Sequence, residues 1–456
     1  MFKTVLVANR GEIALRIVRT CKELGIRVAV VHSTADADSA AVRLADQAVQ
    51  IGPPPARQSY LSIPAIIEAA RLCGADAVHP GYGFLSEDPD FAQVCADHGI
   101  TFIGPSPRVL SALGDKVHSR GAVVGAGLPV LPGSHTATST AAQAHAVAEH
   151  VGYPVIVKAS AGGGGRGMAV VDDPRELAGA FARTRSEARA LFGDGRVYLE
   201  RYLGSSRHVE VQVLADRFGN VVHLGERDCS VQRRRQKLLE ETPSPGLSSC
   251  LLDGMTGAAT HAARALGLTG AATFEFLVEK DVFYFMEANC RLQVEHPVTE
   301  MVTGVDLVRE QIMIAAGEPL SFGQDGVAPR GAAVECRINA EDPERGFMPT
   351  PAVIDAFVPP GGPFTRVDTH GHAGLRVSPE YDSLLAKVVV WAPDRAAALR
   401  RMDRALTEFR IEGEGLRTTA GFLRQVLDHP AFLAGTHSTR LVEAMLGRPG
   451  DRPEGQ

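Results

Sequence analysis

The stretch VGYPVIVKASAGGGGRGMAVVDD, residues 151–173, decides how the rest of the chain is read. Four consecutive glycines beside Lys158 and Arg166 suggest a cradle for phosphates. A Walker loop places its lysine after the glycines, followed by Ser or Thr, and a dinucleotide fingerprint spaces its glycines G-x-G-x-x-G ahead of a helix. Here the lysine comes first, and short β-branched runs lie on both sides. The glycines are therefore expected in the loop of a β-hairpin, not at a strand-to-helix turn.

Toward the N-terminus the pattern changes. TVLVA, an amphipathic IALRIVRTCKELG, IRVAVVHS, IPAIIEAARLCGA, DAVHP, PDFAQVCADHG and ITFIG alternate strand and helix signals, which predicts a doubly wound parallel α/β unit. The loop NRGEIA carries one glycine where a dinucleotide site needs three, so NAD binding is not expected. The 456 residues suffice for two or three domains, and 45% hydrophobic residues can fill their cores. A net charge of -6 with interspersed signs gives no footprint for nucleic acid. Seven scattered cysteines form no CxxC pair, which argues against a zinc cluster or disulfide framework and favours a reducing, cytoplasmic setting. The longest uncharged stretch, 121–148, is interrupted by Pro129, Pro132 and polar residues, so no membrane span is expected.

Toward the C-terminus, AATFEFLVEKDVFYFMEAN (271–289) reads as a second hairpin. Side chains alternate faces along a strand, so an odd-with-odd register puts Glu275 and Glu287 on one face, with Leu277 beside Glu275 and Phe283 and Phe285 beside Glu287. Two carboxylates in a partly apolar setting repel, and a divalent cation between them would resolve the conflict. Oxygen-only ligation suits Mg²⁺. Directly after Glu287 come Asn289, Arg291, Gln293, Glu295 and His296, a density of donors, acid and base that a bland loop rarely shows. Lys116, Lys158 and QRRRQK (232–237) supply cations, and HVEVQV supplies His208.

At this point the residues carry a family resemblance. HPGYGFLSE (79–87), GDK (114–116), YPVIVKASAGGGGRGM (153–168), RHVEVQV (207–213), ERDCSVQRR (226–234), EANCRLQVEHPVTEM (287–301), ECRINAEDP (335–343) and YDSLLAKV (381–388) resemble biotin carboxylase of the ATP-grasp superfamily, from residue 2 to about 446. The resemblance implies an α/β (α+β overall) chain with a Rossmann-like first domain (1–115), an ATP-grasp domain (116–330) with a mobile Gly-rich lid at about 132–203, and a C-terminal biotin carboxylase domain (331–446). Residues 447–456 are expected to be a disordered tail.

What the resemblance implies for residues is specific. Lys116, Lys158, Gly163, Gly164 and Gly165 would meet the phosphates. Glu200, Leu203, His208, Gln232, Leu277 and Met286 would serve the rest of the nucleotide site. Glu275, Glu287 and Asn289 would hold Mg²⁺ or Mn²⁺, two ions in all. Glu295 is implied as the base that deprotonates bicarbonate, in a cradle of Lys237, Arg291, Gln293 and the Val294 backbone. Arg337 would stabilise the enolate of biotin, and Tyr82 would line its entrance. The implied reaction is ATP-dependent carboxylation of carrier-bound biotin through carboxyphosphate. The absence of a biotin attachment motif suggests a stand-alone subunit, a homodimer working with a biotin carboxyl carrier protein and carboxyltransferase, most simply in an acetyl-CoA or other acyl-CoA carboxylase. Propionyl-CoA, methylcrotonyl-CoA, pyruvate and urea systems share the module, and a catalytically weak ATP-binding regulatory subunit is the alternative from another class. Three departures from the family pattern stand out: Arg235 where histidine is commonest, and Ala161 and Ala352 where glycine is usual.

Overall fold

The run TVLV is buried at every position because it is covered on both faces, and it forms β1 (Thr4–Val7). With β2 (Arg27–Ser33), β3 (Gln47–Gly52), β4 (Ala77–His79) and β5 (Thr101–Phe102) it makes a parallel sheet in the order β3-β2-β1-β4-β5. The strand order reverses between β1 and β4, the place where such sheets usually open a ligand crevice. Asn9 spans it, its side-chain amide donating to the carbonyls of Pro80 at 2.6 Å and Tyr82 at 2.7 Å. Gly81 makes this approach possible, since its φ is +66° and a Cβ there would lie 2.9 Å from Asn9 Nδ2. The crevice thus grips the loop that follows β4.

The chain is described by a computed structural model covering residues 1–134, 136–161 and 167–447, without the side chains of Lys116 and Val117. Gly163, Gly164 and Gly165 therefore lie outside the described residues, as do the Lys116 side chain and the tail from 448 onward. The strands bounding the glycines behave as the sequence predicts. β6 (Val155–Ala159) and β7 (Met168–Val171) pair antiparallel with Lys158 opposite Met168, and β8 (Val197–Arg201) flanks β6 on its other edge. Helices Ala141–Val151 and Leu177–Phe192 cover this small sheet, Ala144, Ala148, Leu177 and Phe181 packing on Val155, Val157, Val197 and Leu199.

Eight further strands are β9 (Arg207–Ala215), β10 (Val221–Arg233), β11 (Gln236–Thr242), β12 (Gly270–Glu279), β13 (Val282–Asn289), β14 (Ala332–Asn339), β15 (Thr365–Thr369) and β16 (Leu384–Ala392). They form one antiparallel sheet ordered β13-β12-β9-β10-β11-β14-β16-β15. The strands after residue 331 extend this sheet, with Leu239 opposite Cys336 and Glu240 opposite Glu335.

Strand alternation now sorts the residues. In HVEVQV the odd positions Val209, Val211 and Val213 join Phe274, Phe276 and the helix Ser249–Leu266 in one core. The even positions His208, Glu210 and Gln212 lie on the opposite face, also buried, where polar groups must find partners. Helix His296–Thr303 covers that face, and the Arg227 guanidinium links it to the sheet by donating to Thr299 Oγ1 at 2.9 Å.

The same rule corrects one expectation. Glu275 is paired with Glu287, but the next pair is Phe276 with Phe285, so Met286 is an extra residue in a β-bulge. The bulge reverses the parity of β13. Phe283 and Phe285 turn to the face of Phe276, whose ring lies 5.4 Å and 6.2 Å from theirs, and leave the carboxylates a polar face.

Candidate active site

Register sets a row of charged groups across four strands, with Glu287 on β13, Glu275 on β12, Glu210 on β9 and Arg227 on β10 in line. Lys237, at the start of β11, reaches into the row. Its Nζ lies 2.6 Å from Glu210 Oε2, 2.6 Å from Glu295 Oε1 and 3.2 Å from Glu275 Oε1. Arg227 closes the other side of Glu210 at 2.6 Å.

Glu295 caps helix His296–Thr303 without bonding it through the side chain. Its carboxylate, fully buried, instead bridges Lys237 and Arg337, whose NH2 lies 2.8 Å from Oε2. Arg337 reaches from β14 and also donates through Nε to Glu240 at 2.7 Å. Burial alone would push the Glu295 carboxyl up, but Lys237, Arg337 and Arg227 hold it well below the ordinary carboxylate range. The same acids hold Lys237 well above the ordinary lysine value against its burial. Glu210 goes the other way, pushed up to about 7 by burial and by the charge of Glu295.

Residues 289–293 form a second layer of contacts. The Asn289 and Gln293 amides each donate to Glu275 Oε1, at 2.7 and 2.8 Å. Their carbonyl oxygens each accept from Arg291, at 2.8 Å in both cases. The remaining Arg291 contacts are Nε to Glu87 Oε2 at 2.7 Å and NH1 to the Leu292 carbonyl at 3.2 Å. Lys387, fully buried, donates to the Val294 carbonyl at 2.9 Å and pairs with Glu12 at 2.9 Å, and Glu12 also accepts from the Tyr82 hydroxyl.

The fit to a divalent cation can be judged from these donors. Glu275 and Glu287 face one another on one side of the sheet, as ligands must. Their mutual repulsion is not left for a metal to resolve, as the sequence reading supposed. Lys237, Asn289 and Gln293 already contact Glu275, and His208 Nε2 sits 2.7 Å from its Oε2, out of line for a hydrogen bond. Even so, the carboxylates of Glu210, Glu275 and Glu287 outnumber the cations Lys237 and Arg227 within the row, so a cation fits the donor chemistry. Asn289 turns its amide nitrogen to Glu275 and its oxygen to Arg291, so it serves that site by orienting Glu275.

The residues expected at the nucleotide form a neighbouring group. Lys158 pairs with Glu200, which Arg120 also holds at 2.9 Å, and Leu203 is buried nearby in the chain. The lysine expected at a phosphate is thus engaged by an acid expected elsewhere in the nucleotide site. Tyr198 lies opposite Lys158 in the strand register. Its phenol is pushed well above the ordinary value by burial first, then by Glu200, with Glu287 adding to it. Gln232 is buried beside His208, its Nε2 3.4 Å from Nδ1. Leu277 and Met286 are half-buried on the same hairpin. Arg235 and Arg234 fill the two-residue turn joining β10 to β11, both in the left-handed region at φ 68° and 47°. Ala161 and Ala352 are not in that region, so alanine is tolerated at both.

Glu87, Glu210, Arg227, Glu240 and Lys387 were not singled out from sequence. Glu210 was within reach, because HVEVQV places it on the face of His208. Glu87 sits in a loop with no periodicity to reveal its direction.

The chain is similar to known proteins along most of its length. Residues 1–110 match the family described as biotin carboxylase, N-terminal domain, residues 115–322 that of carbamoyl-phosphate synthase L chain, ATP binding domain, and residues 335–444 that of biotin carboxylase C-terminal domain. A biotin carboxylase of Nostoc sp. is 53% identical over 445 residues, 97% of this chain and 99% of its own. A Campylobacter jejuni biotin carboxylase–β,γ-ATP complex superposes with a TM-score of 0.95 at 46% identity, covering 97% of this chain and 99% of the other. The biotin carboxylase domain dimer of Hydrogenobacter thermophilus 2-oxoglutarate carboxylase, in complex with MgADP, ADP and bicarbonate, does so with a TM-score of 0.95 at 44% identity, covering 98% of each chain.

Proposed function

The chain belongs to the biotin carboxylase family, and from that premise we propose that it is an ADP-forming ligase that uses ATP and bicarbonate to carboxylate biotin held on a carrier protein. The observation that carries the site assignment is Glu295: fully buried, ionised, and gripped between Lys237 and Arg337. A carboxylate held this far below its ordinary range is a poor base while both cations face it. Bicarbonate entering between Lys237, Arg291 and Gln293 draws those donors onto itself, and Glu295 becomes basic enough to take its proton. The freed oxygen attacks the γ-phosphorus of ATP, ADP leaves, and carboxyphosphate forms. Lys158, released from Glu200, and Lys116 offset charge on the phosphoryl oxygens. Glu275 and Glu287 would hold Mg²⁺ or Mn²⁺, which neutralises the nucleotide phosphates when bound. Arg337, held at the proper angle by Glu240, then faces the ureido oxygen of biotin as it becomes enolate-like.

Biotin carboxyl carrier protein and carboxyltransferase are the partners this reading requires, with an acyl-CoA such as acetyl-CoA as final acceptor. Homodimerisation and a cytoplasmic site of action belong to the same reading. It is supported by seven free cysteines and by the lack, among the described residues, of any helix long and apolar enough to cross a membrane. The test is Glu295→Gln, which keeps volume and removes the base. Biotin-dependent ADP release should fall at least a hundredfold while calorimetric ATP affinity changes by less than about threefold. Turnover within tenfold of the parent would remove Glu295 from the role.

A further inference from the structure

Arg291 has four of its five N–H groups committed, and one of the four points outside the site. Nε meets Glu87 Oε2 at 2.7 Å, while NH1 and NH2 face Gln293 and Asn289 at 2.8 Å. A guanidinium is planar, so fixing its Nε fixes which edge the other two nitrogens present. Glu87 spends its second oxygen, Oε1, on the backbone N–H of Cys290 at 2.9 Å, so the same carboxylate anchors the loop from which Arg291 projects. It is itself placed by the loop after β4, the one that Asn9 holds at the reversal point of the parallel sheet. Among the described residues Glu87 is the only acid within hydrogen-bond distance of the Arg291 side chain, and burial of this cation without a partner would be costly.

We infer that Glu87 is a positioning residue for bicarbonate, acting through Arg291 by turning the two-nitrogen edge of its guanidinium toward the substrate. The inference rests on the assignment of Arg291 to the bicarbonate cradle. A carboxylate is required, because an amide at this position has one acceptor oxygen for the two donors that Glu87 serves, Arg291 Nε–H and Cys290 N–H, and would set its own N–H against one of them. Either the guanidinium would turn away or the loop that carries it would come loose.

The experiment uses the full chain and reads biotin-dependent ADP release with bicarbonate and ATP varied separately, alongside thermal unfolding, for Glu87→Gln, Glu87→Asp and Arg291→Ala. In Glu87→Gln the KM for bicarbonate should rise at least tenfold, with the KM for ATP within twofold and the unfolding temperature unmoved. Glu87→Asp, which keeps the charge, should recover to within about threefold of the parent. If Glu87→Gln leaves the bicarbonate KM within twofold while Arg291→Ala raises it, the inference fails and the cradle stands. Should Arg291→Ala leave it unchanged too, the cradle assignment fails. A loss in Glu87→Gln shared equally by both substrates, or matched by a lower unfolding temperature and not relieved in Glu87→Asp, would show a merely structural role and overturn the inference.

Discussion

Removing Lys387 tests how the molecule tolerates charge in its interior. The ammonium is fully buried, 2.9 Å from Glu12 Oε1 and 2.9 Å from the Val294 carbonyl, with Asp368 at 3.9 Å. At an effective dielectric near 20, an ion pair at 2.9 Å is worth roughly 6 kcal/mol before desolvation, and desolvation of the two ions consumes most of it. The net value of the pair is therefore small, but Lys387→Met alone strands the Glu12 carboxylate and should cost about 3–5 kcal/mol. Glu12→Gln, which retains an acceptor for the Tyr82 hydroxyl, should cost about 2 kcal/mol. The double variant should lose less than the sum of the two by about 2–3 kcal/mol, because neither charge is left alone. Urea denaturation of the four proteins gives the coupling. Lys387→Met should also lower turnover, since the Val294 carbonyl loses its donor next to Glu295. Losses that add to within about 0.5 kcal/mol would refute the claim that the pair is coupled in the interior.

Three further outcomes are expected. Burial pushes His79 and His370 down to about 3, Arg16 adding to the first and Arg10 to the second. A histidine depressed in the folded state leaves stability intact at neutral pH and removes it as pH falls below the unfolded value near 6.5. Acidification to pH 5 should cost roughly 2 kcal/mol per histidine, and His79→Asn should flatten that slope in urea titrations. Replacing Arg234 and Arg235 with Asn-Gly suits a turn with two left-handed residues and should stabilise by about 1–2 kcal/mol, read as a higher denaturation midpoint. Gly81→Ala puts a Cβ 2.9 Å from Asn9 Nδ2 at a φ of +66°, so it should destabilise by about 2–3 kcal/mol and weaken turnover by displacing the Tyr82–Glu87 loop.

Much of this was legible beforehand, for physical reasons. Period-two alternation and the order of lysine and glycines in 151–173 identified the antiparallel β6–β7 pair without reference to any partner strand, and Glu275 and Glu287 were paired correctly because both lie on one short ribbon. Local pattern fails where a single residue breaks it. Met286 reverses every face beyond it, and no propensity marks a bulge. It fails also where partners are remote. Glu87 and Arg291 are 204 positions apart, and Lys387 and Glu12 farther still. Nor could the sequence show that Lys158 rests on Glu200, since that contact spans two strands, β6 and β8, separated by a helix in the chain.

The ladder that carries the sheet across residue 331 sets a rule for recombination. A chimera joined near 330 exchanges β14, β15 and β16, and its new β14 must mate with the old β11 through Leu239–Cys336, Glu240–Glu335 and their neighbours. Arg337 would come from one parent and Glu240 and Glu295 from the other. A truncation at the same point would bare β11, with Leu238 and Leu239, as an open edge ready to pair with other chains. Crossovers placed near residue 115 leave that ladder whole but take Glu12 and Glu87 from one parent and Lys387 and Arg291 from the other, so a library built there must keep those two ion pairs matched.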